Sequence, residues 1–154
     1  MGRDAGYIAL HSGISCGAEH ILIPEEKETI TEIISAIQND QNRKKLTNII
    51  VVAEGDEFGG AIELQNIIHK AIPNIESRVS ILGHIQRGGS PTALDRILAS
   101  RLGHAAVEAL LAGRTQEMVG IVNQEIVFTP FKACVKLSKP MPKDLIDMIK
   151  VLSK

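Results

Sequence analysis

The residue types needed to hold a phosphate group are concentrated between Gly83 and Pro91, in the stretch GHIQRGGSP. Arg87 offers planar N–H donors that match phosphate oxygens, His84 offers a further donor, and two glycines let a ligand approach the backbone. Ser90 is predicted to cap a following helix whose first residue is Pro91, and the free N–H groups of a helix start favour anions. The stretch therefore predicts a phosphate-binding turn. The alternative is a plain corner between two elements with an arginine on its surface.

A carboxylate follows the apolar run IIVVA, at Glu54. At the end of a strand it can accept hydrogen bonds from the hydroxyl groups of a ligand such as a sugar. The alternative is a loop acid that only complements the start of the next helix, as Asp56 and Glu57 are expected to do. The residue types alone leave both interpretations of Glu54 open.

The elements that must position these residues alternate along the chain between helical and strand-like patterns. Apolar spacing predicts helices over residues 5–16, 26–38, 58–71, 91–112 and 143–152, and strands over His20–Ile23, Ile49–Ala53, Val79–Leu82, Val119–Val122 and Ile126–Phe128. Gly113 is placed to end the longest helix. This alternation predicts an α/β fold with a mostly parallel sheet flanked by helices, in which the β-branched run 49–53 is buried on both faces. Ligands bind outside the carboxyl ends of such strands. The residues that follow these ends are Pro24, Glu54, His84 and Asn123.

Composition argues against several classes of partner. The 154 residues suffice for one domain, and 44% of them are hydrophobic, as in ordinary globular proteins. A formal net charge of -1 gives no general attraction to nucleic acid or to an anionic membrane surface. Aromatic residues make up only 3% of the chain, which argues against stacking on single-stranded nucleic acid. No apolar run approaches the roughly 20 residues that span a bilayer.

The spacing of the cysteines and histidines bears on disulfide bonds, on the cellular compartment and on metal binding. Cys16 and Cys134 are far apart and lack CxxC spacing, which predicts two buried thiols and a reducing, cytoplasmic compartment. The stretch MGRDAGYIALHSG lacks the pattern of a signal peptide. No metal-ligand spacing is found among the remaining histidines, so we predict no metal site. These histidines are His11, His20, His69 and His104.

From residue types alone, the other basic residues do not indicate a binding site. The triplet Met1-Gly2-Arg3 is unremarkable, and Arg78 would begin a strand at the end away from His84. Surface arginines are usually solvated. The cluster Arg43–Lys45, considered together with Glu19, is typical of a solvated loop, and an anion site is the alternative.

Three segments taken together resemble the bacterial-type 6-phosphofructokinase family. They are MGR at residues 1–3, AEG at 53–55 and LGHIQRGGSP at 82–91, and the similarity continues through TALDRILASRLG to Gly103. The segments CGAE and PE, at 16–19 and 24–25, match as well. The resemblance covers nearly the whole chain and is loosest beyond about Pro130. It implies the fold of the family's C-terminal domain and a glycolytic kinase. That enzyme is a cytoplasmic homotetramer that transfers the γ-phosphoryl group of MgATP to the 1-hydroxyl of fructose 6-phosphate.

The resemblance also implies roles for single residues at the substrate. Met1, Gly2 and Arg3 match the family's segment at the sugar phosphate, where Arg3 would neutralise charge in the transition state. Glu54 matches the acid that contacts the sugar hydroxyls. The residues that match the holders of the 6-phosphate are His84 and Arg87.

Two further roles follow from the same resemblance and concern subunit contacts. Arg78 matches an arginine that reaches into the neighbouring subunit's site. Glu19, Lys44 and Lys45 match positions that bind a nucleotide effector between subunits. This second match is looser, because the family has a further lysine where this chain has Asn42.

The family's nucleotide-binding features are missing from this sequence. Neither a GGDGS-like phosphate loop nor a TIDND segment, whose first Asp is the catalytic base, occurs in it. Residues 1–154 therefore resemble a single sugar-phosphate-binding domain without its N-terminal ATP-binding half, and about 119–154 would pack on that half. Mg²⁺ and ATP would bind the intact enzyme and not this chain alone. We expect the isolated chain to lack kinase activity and to expose an apolar surface.

Three alternatives remain open. The chain could be a non-catalytic module that binds a phosphorylated sugar, or half of a phosphofructokinase that uses pyrophosphate instead of ATP. It could also be a structural fragment that folds poorly and binds nothing. The residues that distinguish ATP from pyrophosphate belong to the half that this sequence lacks.

Overall fold

The computed structural model of the chain describes residues 5–45, 47–135 and 140–152. The elements, in chain order, are α1 (Tyr7–Cys16), β1 (His20–Leu22), α2 (Ile30–Asn42), β2 (Ile50–Val52), α3 (Ala61–Ala71), a 3₁₀ helix (His84–Arg87), α4 (Ala93–Leu111), β3 (Glu117–Val122), β4 (Glu125–Pro130), α5 (Phe131–Cys134) and α6 (Lys143–Leu152). They form two compact units. Unit 1 is Met1–Arg87 with Met141–Lys154, and unit 2 is Gly88–Pro140.

Unit 1 is built around the parallel pair of β1 and β2, which aligns His20 with Ile50 and Leu22 with Val52. Successive side chains of a strand point to opposite faces. On one face Ile21 packs in a buried cluster with residues of α1 and α6, and on the other Leu22 packs with residues of α2 and α3. Helices thus cover both faces of the parallel pair, which confirms the predicted α/β class.

The strand at 49–53 is less buried than predicted. Val51 and Ala53 belong to one apolar cluster and Ile50 to the other, so both faces of β2 are used. However, Ile49 is 45% exposed and all three residues of β2 are only half-buried. The physical reason is that β1 is the one strand that pairs with β2 in the described part of the chain.

Close packing of α1 on β1 depends on a glycine. A Cβ atom added at Gly13 would lie 2.5 Å from Cδ1 of Ile21, which is itself only 2% exposed. The helix then stops at Gly17, whose φ of 70° is left-handed.

Cys16, the last residue of α1, is exposed and Cys134 is half-buried, so the prediction that both thiols are buried is wrong.

The strand predicted at Val79–Leu82 is not formed. These residues have no regular secondary structure, and Ile81 and Leu82 are 72% and 59% exposed. An apolar β-branched run becomes a strand only when a neighbouring strand supplies hydrogen-bond partners. In the described residues the strand pairs are β1 with β2 and β3 with β4, so this segment has no such neighbour.

In unit 2, α4 begins two residues later than the sequence predicts. Its N-cap is Thr92, whose hydroxyl accepts the Asp95 N–H, while the Asp95 carboxylate accepts the Thr92 N–H at 2.7 Å. Ser90 is therefore not the cap and Pro91 not the first helical residue, because this reciprocal capping box satisfies the helix start better. At the other end Gly113, with φ 78°, follows the helix as predicted.

The strands β3 and β4 pair antiparallel with each other. Asn123 and Gln124 connect them, and both have positive φ, 50° and 68°, as a two-residue hairpin turn requires. The Arg101 guanidinium donates to the Gln124 carbonyl at 2.7 Å and ties this turn to α4. Asn123 therefore lies in a hairpin turn and not, as expected, at the carboxyl end of a parallel strand.

Candidate functional site

The residues predicted to bind the sugar phosphate lie outside the regular strands of unit 1. Glu54 is exposed in the turn that follows β2. His84 and Arg87 are the first and last residues of the 3₁₀ helix, and both are exposed. Arg78 is exposed in the segment that follows α3. Three further predicted residues, Met1, Gly2 and Arg3, lie outside the described residues.

The 3₁₀ helix brings two of these side chains together. In such a helix the side chains of residues three apart are eclipsed, so His84 and Arg87 project from the same side. The turn is fixed by the Gln86 N–H, which donates to the Gly83 carbonyl at 3.1 Å, and by the Gln86 side chain, which donates to the Leu82 carbonyl. Two exposed side chains with nitrogen donors are thus carried by one turn, and ideal 3₁₀ geometry would direct them to the same side, a pattern that suits a phosphate group.

Backbone conformation and packing account for some, but not all, of the glycines around this turn. Gly88 has φ 85°, which favours glycine on conformational grounds alone. Gly83 and Gly89, in contrast, have no positive φ, and a Cβ atom added at either would meet no described residue within 4 Å beyond its chain neighbours. Neither packing nor conformation requires a glycine at those two positions. Close approach of the backbone to a ligand is a third use of glycine and is consistent with the phosphate-binding interpretation.

Arg78 borders a shallow surface pocket of about 480 Å³. Its other lining residues are His69, Ile75, Glu76 and Ser77. In the described part of the chain, no hydrogen bond or ion pair joins Arg78, His84 and Arg87 to one another. The structure thus pairs His84 with Arg87 on one turn and places Arg78 on a separate segment.

Glu19 and Lys45, predicted at an effector site, are in contact. Lys45 Nζ lies 3.0 Å from Glu19 Oε1 and 3.3 Å from Asp40 Oδ2, and the Ile49 N–H donates to Glu19 Oε2 at 2.6 Å. Lys44 is exposed, and its φ of 60° turns the chain so that Lys45 comes back to the end of α2. The arrangement joins the end of α2 to the starts of β1 and β2.

The pKa values of this pair follow from these contacts. Burial by itself raises the pKa of Glu19, but the hydrogen bonds from Ile49 and Lys45 together outweigh burial and lower it. The hydrogen bond to Glu19, with a smaller contribution from Asp40, raises the pKa of Lys45. Both groups are therefore held in their charged forms. The residue types alone do not reveal Asp40 as a partner of Lys45.

The described residues form neither a cluster of metal ligands nor a helix that could span a membrane. Within ranges 5–45, 47–135 and 140–152, no group of three or more His, Cys, Asp or Glu side chains could hold a metal ion. None of the helices in those ranges is both long enough and apolar enough to cross a membrane.

Comparison with known proteins places the chain in a family. The family model described as Phosphofructokinase matches residues 1–110. ATP-dependent 6-phosphofructokinase 2 of Bacteroides thetaiotaomicron is 44% identical over 153 residues, and ATP-dependent 6-phosphofructokinase 1 of Thermus thermophilus is 48% identical over 153 residues. Each alignment covers 99% of this chain and 47% of the relative. The chain thus spans about half the length of the curated relatives that it matches.

Solved structures agree with this placement. The phosphofructokinase of Pichia pastoris in the T-state aligns with a TM-score of 0.76 and 28% identity, over 99% of this chain and 18% of that chain. The phosphofructokinase of Saccharomyces cerevisiae aligns with a TM-score of 0.75 and 31% identity, over 99% of this chain and 21% of that one. Since the family model also matches most of the sequence, the chain belongs to the phosphofructokinase family.

Proposed function

We propose that this chain is the sugar-phosphate-binding half of an ATP-dependent 6-phosphofructokinase. The whole enzyme would transfer the γ-phosphoryl group of MgATP to the 1-hydroxyl of fructose 6-phosphate and would be a cytoplasmic enzyme of glycolysis. The observation that carries this proposal is the match of 99% of the chain, at 44% and 48% identity, to relatives named ATP-dependent 6-phosphofructokinases. Those names also favour ATP over pyrophosphate as the phosphoryl donor.

In this proposal the 3₁₀ helix binds the 6-phosphate. Arg87 donates in a planar fork to the phosphate oxygens, and His84 donates beside it from the same side of the helix. The absence of described atoms around Gly83 leaves room for the ligand beside His84. Glu54 accepts hydrogen bonds from the sugar hydroxyls, which orients the ring.

The remaining substrate contacts come from segments at some distance along the chain. We propose that Met1 and Gly2 contact the sugar phosphate and that Arg3 stabilises charge that develops on the transferred group. Arg78 would bind the substrate held by a neighbouring subunit, so the functional enzyme would be a homo-oligomer, a tetramer as in the family. Glu19, Lys44 and Lys45 would form part of an effector site.

The described residues do not fit a site for Mg²⁺, since no cluster of acidic side chains converges among them. We therefore assign the metal, the nucleotide and the catalytic base to the other half of the enzyme. Phosphoryl transfer depends on holding donor and acceptor in line, and a chain that binds only the acceptor should not catalyse it. Residues of about 119–154 would pack on the other half, which is consistent with the exposure of Phe131 (53%) and Val135 (89%).

The experiment is a calorimetric titration of the purified chain with fructose 6-phosphate and, separately, with fructose. We expect binding of the phosphorylated sugar only, and a loss of affinity of tenfold or more in Arg87→Ala, since a charge-assisted bidentate contact is worth about 1.5–3 kcal/mol. His84→Ala should weaken binding less. The matched control is Arg96→Ala, which removes an equally exposed arginine from α4.

The outcomes separate the proposal from its alternatives. Equal binding of fructose and fructose 6-phosphate, or no effect of Arg87→Ala, would show that this turn is not the phosphate site. Binding of fructose 6-phosphate together with a phosphoryl transfer by the chain itself would contradict the assignment of catalysis to another half. A chain that binds and never gains activity with any nucleotide-binding half would support the non-catalytic module.

A further inference from the structure

Ser77, the residue before Arg78, is held against α3 by two side chains. Gln65 Nε2 donates to Ser77 Oγ at 2.8 Å and to the Ser77 carbonyl at 3.2 Å. His69 Nε2 lies 2.7 Å from the same hydroxyl oxygen. A hydroxyl can donate one hydrogen bond and accept others, so Ser77 can satisfy both neighbours at once. The backbone and the side chain of Ser77 are thereby fixed together.

The two residues that hold Ser77 form one face of a helix. Gln65 and His69 are four residues apart on α3, a spacing that places side chains next to each other. The inner face of the same helix is anchored by Leu64 and Ile68, which are 3% and 5% exposed. The helix that holds Ser77 is therefore anchored in the core, although the hydrogen bonds themselves lie at the surface.

The segment between α3 and Arg78 is short and restrained as well. Ile72 is 9% exposed, and the Ile75 N–H donates to the Ile72 carbonyl at 3.2 Å. The chain then reaches Ser77 two residues later. With restraints at Ile72 and at Ser77, the backbone that carries Arg78 has little freedom.

Unlike the backbone that carries it, the Arg78 side chain is not restrained by hydrogen bonds to described residues. It is exposed, and the described part of the chain supplies it with no hydrogen bond or ion pair. A fixed backbone that carries an uncommitted guanidinium lowers the ordering cost of binding an anion, since fewer degrees of freedom are lost.

We propose that Ser77, held by Gln65 and His69, is a positioning residue that presents Arg78 to the phosphorylated sugar. This inference rests on the proposed function, because it assumes that Arg78 binds the substrate. It adds three residues to the substrate-binding machinery, none of which needs to touch the ligand. The hydroxyl of Ser77 is the essential group.

The test is calorimetric titration of the whole chain with fructose 6-phosphate, using single and double variants. Ser77→Ala should weaken binding about three- to tenfold, the range expected for one or two surface hydrogen bonds. Ser77→Thr keeps the hydroxyl and should retain most of the affinity. Ser80→Ala, an exposed serine in the same segment without a described side-chain hydrogen bond, should bind as the wild type does.

A second pair of variants covers the case in which Ser77→Ala perturbs the local fold. Gln65→Ala should weaken binding in the same direction, while Asn66→Ala, its exposed neighbour on α3, should not. The decisive measurement is a double-mutant cycle with Arg78→Ala. If Ser77 acts through Arg78, Ser77→Ala should have no further effect when Arg78 is already absent.

Failure of this inference and failure of the proposed function give different results. If Arg78→Ala weakens binding but Ser77→Ala does not, or if Ser77→Ala acts equally with and without Arg78, the positioning role is overturned and the site stands. If wild-type chain binds no fructose 6-phosphate, the proposed function falls and this inference with it. If the self-associated chain binds tightly but Arg78→Ala has no effect, Arg78 does not bind the substrate of a neighbouring subunit and there is nothing for Ser77 to position.

Discussion

Glu19 is held by two kinds of contact, the backbone N–H of Ile49 and the ammonium group of Lys45. Its side chain is only 13% exposed, so these contacts are partly shielded from water. We expect Glu19→Ala to lower the free energy of unfolding by about 1.5–3 kcal/mol, the range for hydrogen bonds to a charged group. Chemical denaturation at pH 7 measures this loss. Glu26→Ala, which removes an exposed acid, is the control.

The stabilisation by Glu19 should also depend on pH in a defined direction. Because the folded-state pKa of Glu19 is lowered from 4.5, its contribution is present above the unfolded value and is lost as the pH falls through the folded value. The difference in stability between wild type and Glu19→Ala should therefore be full at pH 6 and shrink on acidification below about pH 4.5. A difference that grows on acidification would contradict the assigned sign.

For single residues, the residue types alone predict some interactions and miss others. The types and spacing of His84 and Arg87 suit phosphate, and the structure places both on one 3₁₀ helix, while their role in binding phosphate stays a prediction. The ion pair of Lys45 with Asp40 cannot be foreseen, because it depends on the left-handed φ of 60° at Lys44. A lysine seldom adopts that conformation, and nothing in the sequence marks it.

The start of α4 is likewise difficult to predict from the sequence. The motif SPT offers two hydroxyl residues as caps, and Thr92 prevails because Asp95 lies three residues beyond it. Thr92→Ala should destabilise the helix start by about 0.5–2 kcal/mol, while Ser90→Ala should be nearly neutral. Hydrogen exchange of the first amides of α4 measures both. Faster exchange in Ser90→Ala than in Thr92→Ala would contradict the capping assignment.

Glycines in two helices should respond in opposite ways to the same substitution. Gly13→Ala places a Cβ 2.5 Å from the buried Ile21 side chain, and overpacking of this kind costs about 1–3 kcal/mol. An added Cβ at Gly103, on α4, would meet no described atom within 4 Å apart from its own helix backbone and chain neighbours. Gly103→Ala should stabilise the protein by about 0.5–1 kcal/mol through helix propensity. Thermal melts followed by circular dichroism distinguish the two signs, and a matching sign would refute the packing account.

The elements that the sequence predicts well are those with a strong local pattern. The final helix is predicted over residues 143–152 and is observed as Lys143–Leu152, because its apolar spacing is regular enough to bury Ile149 against α1. The strand at Val79–Leu82 has an equally apolar pattern and does not form. A helix satisfies its own hydrogen bonds, whereas a strand depends on a partner that its own residues do not reveal.

For the molecule as a whole, large apolar residues remain exposed along the segment from Ile81 to Leu111. Among them, Leu94, Leu111 and Ile85 are 79%, 78% and 74% exposed. Extended apolar exposure marks an interaction surface or a tendency to aggregate. We expect the purified chain to self-associate, so light scattering should give a mass above the 16.7 kDa of one chain. A single 16.7 kDa species that is unchanged on dilution would contradict this expectation.

The central claim is that this chain supplies the fructose 6-phosphate site of an enzyme whose other half supplies the nucleotide site. The most direct measurement is ADP formation from MgATP by this chain co-purified with the complementary half of the Thermus thermophilus relative. We predict turnover that requires both pieces and fructose 6-phosphate, and that is lost in Arg87→Ala but kept in Arg96→Ala. Turnover by this chain alone, or a stable complex of the two halves that forms no ADP, would contradict the claim.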